Sequence, residues 1–244
     1  MNQNNQDAKA APEFITFTGA DENTDTLGMV ALAAMYPIEW GILFSPKLQG
    51  AGRYPPLRFI GELVRQQPTL RYAAHLCGAD AREVMLDGVS QHDRLLWKSF
   101  TRVQINTADD VNTVALTRWG DALNLGVIVQ CREAFPIGCN VEWLFDKSGG
   151  RGIVQTAWPE PLSNHNARCG YAGGLKPGNV ENAVRAIAAK ASPHARYWID
   201  IESGVRDEND YFDLEKCRAV CEAVYGQDIQ RNSSRAFLSP LLAS

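Results

Sequence analysis

The chain has 244 residues, with 24 Lys and Arg against 28 Asp and Glu and a formal net charge of −4. That length is ample for one large core, and with no basic cluster along it no nucleic-acid partner is expected. No apolar run reaches the ~18 residues of a membrane span and no export signal is evident, so no membrane partner is expected, the six cysteines read as reduced thiols, and the protein reads as cytoplasmic.

In chain order, residues 1–12 are rich in Asn, Gln and Ala and predict a disordered tail. A strand is predicted over Phe14–Thr18, a helix over Thr26–Met35, a strand over Ile38–Phe44 and a helix over Pro56–Gln66. Strands at Leu70–Cys77 and Arg102–Asn106 follow, each with a helix behind it, over Ala79–Leu86 and Asp110–Arg118. The second half continues with strands at Leu125–Cys131, Asn140–Asp146, Arg168–Ala172 and Tyr197–Glu202, and helices over Pro177–Ala189 and Asp213–Tyr225. Between Cys131 and Asn140 there is room for little more than a turn, and Trp158 to Asn166 carries two prolines, so the outer helices after strands five and six are expected to be short or missing. Cys217 and Cys221 join Leu214 and Val224 on one apolar stripe of the last helix and read as core rather than metal ligands. Residues 227–244 read as a C-terminal extension. Strands alternating with helices predict a parallel sheet closed by its own helices, a single α/β domain over residues 13–226 in the form of a (β/α)₈ TIM barrel, a fold of about 250 residues.

Alternation along the strands says which side chains reach the barrel interior. Thr16 and Thr18 share one face of the first strand, Gln104 and Asn106 of the fourth, Glu142 and Asp146 of the sixth, and Asp200 and Glu202 of the eighth. An interior this polar favours an active site over a core built for stability. Two strand-and-glycine-turn segments close the last two units, one at Gly170–Pro177 and one at Trp198–Val205. In such a barrel these turns place backbone amides and a helix start where they hold phosphate, so Gly173, Gly174, Ser203 and Gly204 are the expected phosphate-binding residues, flanked by Lys176 and Arg206.

Five motifs, in order, resemble the phosphoribosylanthranilate isomerase family of tryptophan biosynthesis. They are Pro46-Lys47 with Arg53-Tyr54; Val103-Gln104-Ile105-Asn106; Leu144-Phe145-Asp146 with Gly149-Gly150-Arg151-Gly152; Ala172–Pro177 with Asn179-Val180; and Asp200–Val205. The resemblance spans Phe14 to Val224 and implies an aldose–ketose isomerase. In that family an N-linked phosphoribosyl amine is rearranged, without metal or organic cofactor, by a general acid that opens the ring and a general base that removes the C2′ proton. The partner it implies is a small phosphorylated sugar.

By resemblance Asp146 is the general acid; the alternative is a strand-end Asp capping the glycine turn. A carboxylic acid that donates near neutral pH needs a raised pKa, which burial among Glu142, Asp200 and Glu202 is expected to supply. Arg53 and Gln104 are the implied substrate-binding residues, with the Arg53 fork suited to a carboxylate. The family's catalytic Cys, at the end of the first strand, is replaced here by Thr18 in Thr16-Phe17-Thr18-Gly19. A threonine hydroxyl does not accept a proton as a thiolate does. Glu202 and His75 are the first candidates for a substitute base, with Cys77 and Asp21 behind them. The competing reading is a barrel that kept the phosphate site, lost the isomerase step, and performs other acid–base chemistry or only binds its ligand. A Schiff-base aldolase fits poorly, because no predicted strand presents an inward lysine.

Overall fold

The computed structural model describes residues 11–87, 92, 94–137, 140–149, 152–163 and 168–226. Residues 1–10 of the expected tail, the extension from 227 onward, and Gly150 and Arg151 of the third motif lie outside the described residues. Eight strands, β1 (Ile15–Thr18), β2 (Ile38–Phe44), β3 (Tyr72–Cys77), β4 (Arg102–Asn106), β5 (Gly126–Cys131), β6 (Glu142–Phe145), β7 (Arg168–Tyr171) and β8 (Arg196–Ile201), pair in sequence order. Every pairing is parallel, and β8 returns to β1 to close the barrel. The fold is the (β/α)₈ barrel expected.

The helices are α1 (Thr26–Met35), α2 (Leu57–Gln66), α3 (Ala79–Asp87), the short α4 (Arg94–Trp97), α5 (Thr113–Leu123), α6 (Val180–Ala188) and α7 (Leu214–Tyr225). Among the described residues no helix follows β5 or β6. Local side-chain chemistry sets the boundaries that strand and helix periodicity left loose. Asn112 accepts a hydrogen bond from the Ala115 amide and caps α5, so Asp110 and Val111 stay outside the helix expected to begin there. The start of α6 lies beyond Pro177 because Asn179 ties Lys176 N and Gly174 O into a preceding turn. Asp25 and Asp213 cap α1 and α7 in the same way.

Two apolar layers result. The larger lies between strands and helices and takes the outward residue of each strand pair: Phe17, Trp40, Ile42, Ile105, Val129, Phe145, Tyr171, Ile199 and Ile201 all pack there, with Cys217 and Cys221. The smaller fills the barrel axis with Phe14, Ile128, Leu144, Ala172 and Trp198.

Below that plug, at the N-terminal end of the strands, lies a charged belt. Glu39 is fully buried and pairs with Arg102 and with Arg71 at 2.9 Å. Arg102 also pairs with Glu142, which meets Arg168 at 3.2 Å, and Arg168 meets Glu13 at 2.9 Å. The guanidiniums stack on the plug: Arg71 lies 3.9 Å over Phe14 and Arg102 4.2 Å over the Trp198 ring. Burial raises the Glu39 carboxyl, but Arg102, Arg71 and the Thr16 hydroxyl outweigh it and hold the group at about 2. Glu142 was expected beside Asp146. It lies at the opposite end of β6, engaged by Arg102 and Arg168, because four residues of strand separate the two carboxylates along the barrel axis.

Candidate active site

The C-terminal ends of the strands open into a cleft of about 500 Å³. Its wall is built from inward strand residues (His75, Cys77, Gln104, Asn106, Gln130, Asp146, Asp200 and Glu202) and from the loops after β6, β7 and β8. The parity read from the sequence therefore places the polar side chains where the ends of eight strands converge.

The loops after β6, β7 and β8 meet at glycines. Gly174 has φ +65°, and a Cβ there lies 2.5 Å from the Val154 backbone; a Cβ on Gly204 lies 1.8 Å from the Leu175 carbonyl oxygen. Gly152, φ +64°, packs against Ser203. No side chain larger than hydrogen fits the first two positions, so the backbones come together and Gly173, Gly174, Ser203 and Gly204 all face the cleft. Lys176 lines the same corner. Arg206 does not: it is buried and spent on Asp21 at 3.1 Å, the Gly19 carbonyl at 2.8 Å and Asp210 at 2.9 Å, where it holds the β1 and β8 loops together. Asp21 is thereby committed to an ion pair.

Asp146 is buried at the cleft wall, and its Oδ1 accepts from the Ser148 amide at 3.0 Å and the Ser148 hydroxyl at 2.6 Å. It caps the turn that follows and faces the cleft at once. Arg53 is not on the cleft wall. It bridges Glu202 and Asp210, both at 2.6 Å, and reaches Ser203 Oγ at 3.3 Å, so it ties the β2 loop to the β8 loop behind the glycine turn. Burial raises the Glu202 carboxyl, and the Arg53 contact pulls it back without cancelling that rise.

Thr18 is buried beside Gly41, its register partner on β2, and donates its hydroxyl to Asp200 Oδ1 at 2.9 Å. The other oxygen of Asp200 lies 3.9 Å from His75 Nε2. His75 is 2% exposed, its Nε2 has no hydrogen-bond partner, and burial pushes its pKa down to about 3, so the ring is neutral at physiological pH. Gln104 donates to Asn106 Oδ1 at 2.7 Å and leaves its own Oε1 unpartnered in the interior. Burial drives Asp200 up; the Thr18 hydrogen bond and Arg102 oppose that, Glu202 and Glu39 add to it, and the carboxyl titrates at about 8. Cys77 accepts from Asn106 Nδ2 at 3.1 Å, and burial raises its thiol.

Among the ionisable cleft residues, Tyr54 and Arg132 carried no role in the sequence, and Asp200 was read only as a neighbour of Asp146. Asp200 was placed on the inward face, but its environment depends on Thr18, 182 positions away. Arg132 follows the last residue of β5, and that position at a barrel-strand C-terminus was the available signal. Among the described residues no three His, Cys, Asp or Glu side chains are grouped as ligands for a metal ion.

Fold and site together define a (β/α)₈ barrel with buried carboxylates and a glycine-built backbone cradle at the C-terminal mouth. Among solved structures it resembles phosphoribosylanthranilate isomerases. The enzyme from Thermus thermophilus superposes with a TM-score of 0.56 at 17% identity, over 86% of this chain and 97% of that one. TrpF from Jonesia denitrificans gives 0.57 at 19%, over 87% and 97%. A phosphoribosyl anthranilate isomerase in complex with reduced 1-(o-carboxyphenylamino)-1-deoxyribulose 5-phosphate gives 0.54 at 14%, over 87% and 98%. These identities establish a shared fold. No protein-family model matches the sequence, and no curated protein matches it.

Proposed function

We propose that the cleft isomerises a phosphoribosyl amine from aldose to ketose, with Asp146 as the general acid and the amides of Gly173, Gly174, Ser203 and Gly204 as the phosphate anchor. The observation that carries this is one cleft holding both parts: a cradle of close-packed glycine loops, and buried carboxylates, Asp146 and Asp200, on its wall. Anchoring the phosphate in such a cradle fixes the sugar against the carboxylates, and positioned proton transfer is the remaining need of the reaction. The ligand named for the solved isomerase complex, an arylamino deoxyribulose 5-phosphate, has both the phosphate and the amine that this division of the cleft accommodates. Gln104, with a free buried carbonyl oxygen, is the proposed partner for a sugar hydroxyl. Arg53 bears on the substrate through the β8 loop, by holding Glu202 and reaching Ser203 of the phosphate anchor. The reaction needs neither metal nor organic cofactor, and its partner is a small phosphorylated sugar rather than nucleic acid or membrane. No described helix is long and apolar enough to cross a membrane, and the five described cysteines are unpaired thiols, which supports the reading of a cytoplasmic enzyme.

A second reading, a barrel that only binds a sugar phosphate or performs other acid–base chemistry, draws support from two features: Thr18 in place of a thiol, and an Arg53 already paired twice. Turnover of phosphoribosylanthranilate generated in situ separates the two. The isomerase reading expects activity in the wild type and a loss of about 10²–10⁴-fold in Asp146→Asn. Inactivity of both proteins, with inorganic phosphate or ribose 5-phosphate still raising the melting temperature, supports the second reading instead.

A further inference from the structure

The base is the unassigned part of the isomerase reading, and the inference drawn here rests on that reading. Each candidate base in the cleft has neighbours that decide its suitability. Glu202 is held by Arg53 at 2.6 Å. His75 binds a proton only near pH 3. Thr18 lies beside Gly41, off the cleft wall, with its hydroxyl turned to Asp200. Cys77 is a thiol that burial raises further, and it already accepts from Asn106. Asp200 differs from all four. It lies on the cleft wall, is 6% exposed, and among the described residues makes no ion pair with Lys or Arg.

We propose that Asp200 is the catalytic base that takes the C2′ proton, and that Thr18 is a positioning residue whose hydroxyl fixes the carboxylate toward the cleft. The Thr18 bond occupies Oδ1 and leaves Oδ2, beside the neutral His75 ring, as the proton-accepting oxygen. In the step, Oδ2 binds the C2′ proton, the C–H electron pair becomes the C1′–C2′ double bond, and the iminium π pair moves to nitrogen. The enolamine then becomes the ketose as one proton leaves O2′ and one arrives at C1′. The groups facing Asp200 are His75 from β3, Glu39 from β2 and Arg102 from β4 below it, and Glu202 two positions further along its own strand. Burial, Glu202 and Glu39 raise the carboxyl against the Thr18 hydrogen bond and Arg102, to about 8, four orders of magnitude more basic than an ordinary aspartate and still partly ionised at neutral pH. A buried carboxylate of that basicity supplies what the missing thiolate would.

The experiment is the pH profile of phosphoribosylanthranilate turnover for the full chain and for Asp200→Asn, Thr18→Val and Thr18→Ser. The wild-type kcat/KM profile should carry an ionisation near pH 8, that of the Asp200 carboxyl. Asp200→Asn should lose about 10²–10⁴-fold in kcat, with KM changed only a few-fold and the ionisation near pH 8 gone from the profile. Thr18→Val removes a hydrogen bond that favours the ionised carboxylate, so the ionisation near pH 8 should move to higher pH, with about tenfold lower activity at pH 7, and Thr18→Ser should return it. A purely structural role for Thr18 would lower the melting temperature without moving the profile. Retention of more than a tenth of kcat in a folded Asp200→Asn, or an unmoved profile in Thr18→Val, overturns this assignment and leaves the isomerase reading standing. Wild-type inactivity overturns both.

Discussion

Replacing Glu39 by Gln keeps the side-chain volume and removes one charge from the belt beneath the barrel plug. The carboxylate is fully buried and faces Arg102, Arg71 and the Thr16 hydroxyl, so the change leaves Arg71 and part of Arg102 uncompensated in the interior. Breaking a buried ion pair from one side costs about 3–5 kcal/mol. The titration of the group gives a similar figure: holding the carboxyl at about 2 rather than 4.5 corresponds to about 3 kcal/mol. For a domain of this size that is a fall of about 6–20 °C in melting temperature at pH 7. Because the folded-state pKa is depressed, this stabilisation is present above the unfolded value near 4.5 and is lost as pH falls toward 2. Thermal melts followed by circular dichroism at pH 7 and pH 3 should therefore show a wide gap between wild type and variant that narrows in acid. A fall of less than about 2 °C at pH 7, or a gap that is the same at both pH values, would refute the view that the belt is held by charge pairing.

Two other perturbations probe the cradle. Gly204→Ala places a Cβ 1.8 Å from the Leu175 carbonyl oxygen, so the β7 and β8 loops must separate; the Kd for ribose 5-phosphate, measured by calorimetry, should rise at least about tenfold, and an unchanged Kd would contradict the close-packed cradle. Arg53→Met frees Glu202 to present an uncompensated carboxylate beside Ser203, so sugar-phosphate affinity should fall about tenfold and more steeply at low salt; an unchanged affinity would show that the bridge to Glu202 and Asp210 does not govern the site.

The barrel was legible because parallel strands buried on both faces read as short, regularly spaced apolar runs, and period-two alternation separates helix-facing Ile15, Phe17 and Ile199 from inward Thr16, Thr18 and Asp200. The glycine turns were legible for the same reason: positive φ and close approach leave only one residue type. Helix starts were less so, since Asn112 and Asn179 set them through side-chain bonds that periodicity does not encode. The electrostatics were hidden. Glu39 and Arg102 are 63 positions apart, Arg53 and Glu202 149, and Thr18 and Asp200 182, and each pair exists only after the barrel closes. Parity put Glu142 and Asp146 on one face, but depth along the axis gives one to the charged belt and the other to the cleft.

The most direct test of the site is a crystal structure of the protein with reduced 1-(o-carboxyphenylamino)-1-deoxyribulose 5-phosphate bound. The phosphate should sit on the amides of Gly173, Gly174, Ser203 and Gly204, with the deoxyribulose chain spanning the cleft between Asp146 and Asp200. A phosphate seated elsewhere, or a sugar chain out of hydrogen-bond reach of both carboxylates, would contradict it.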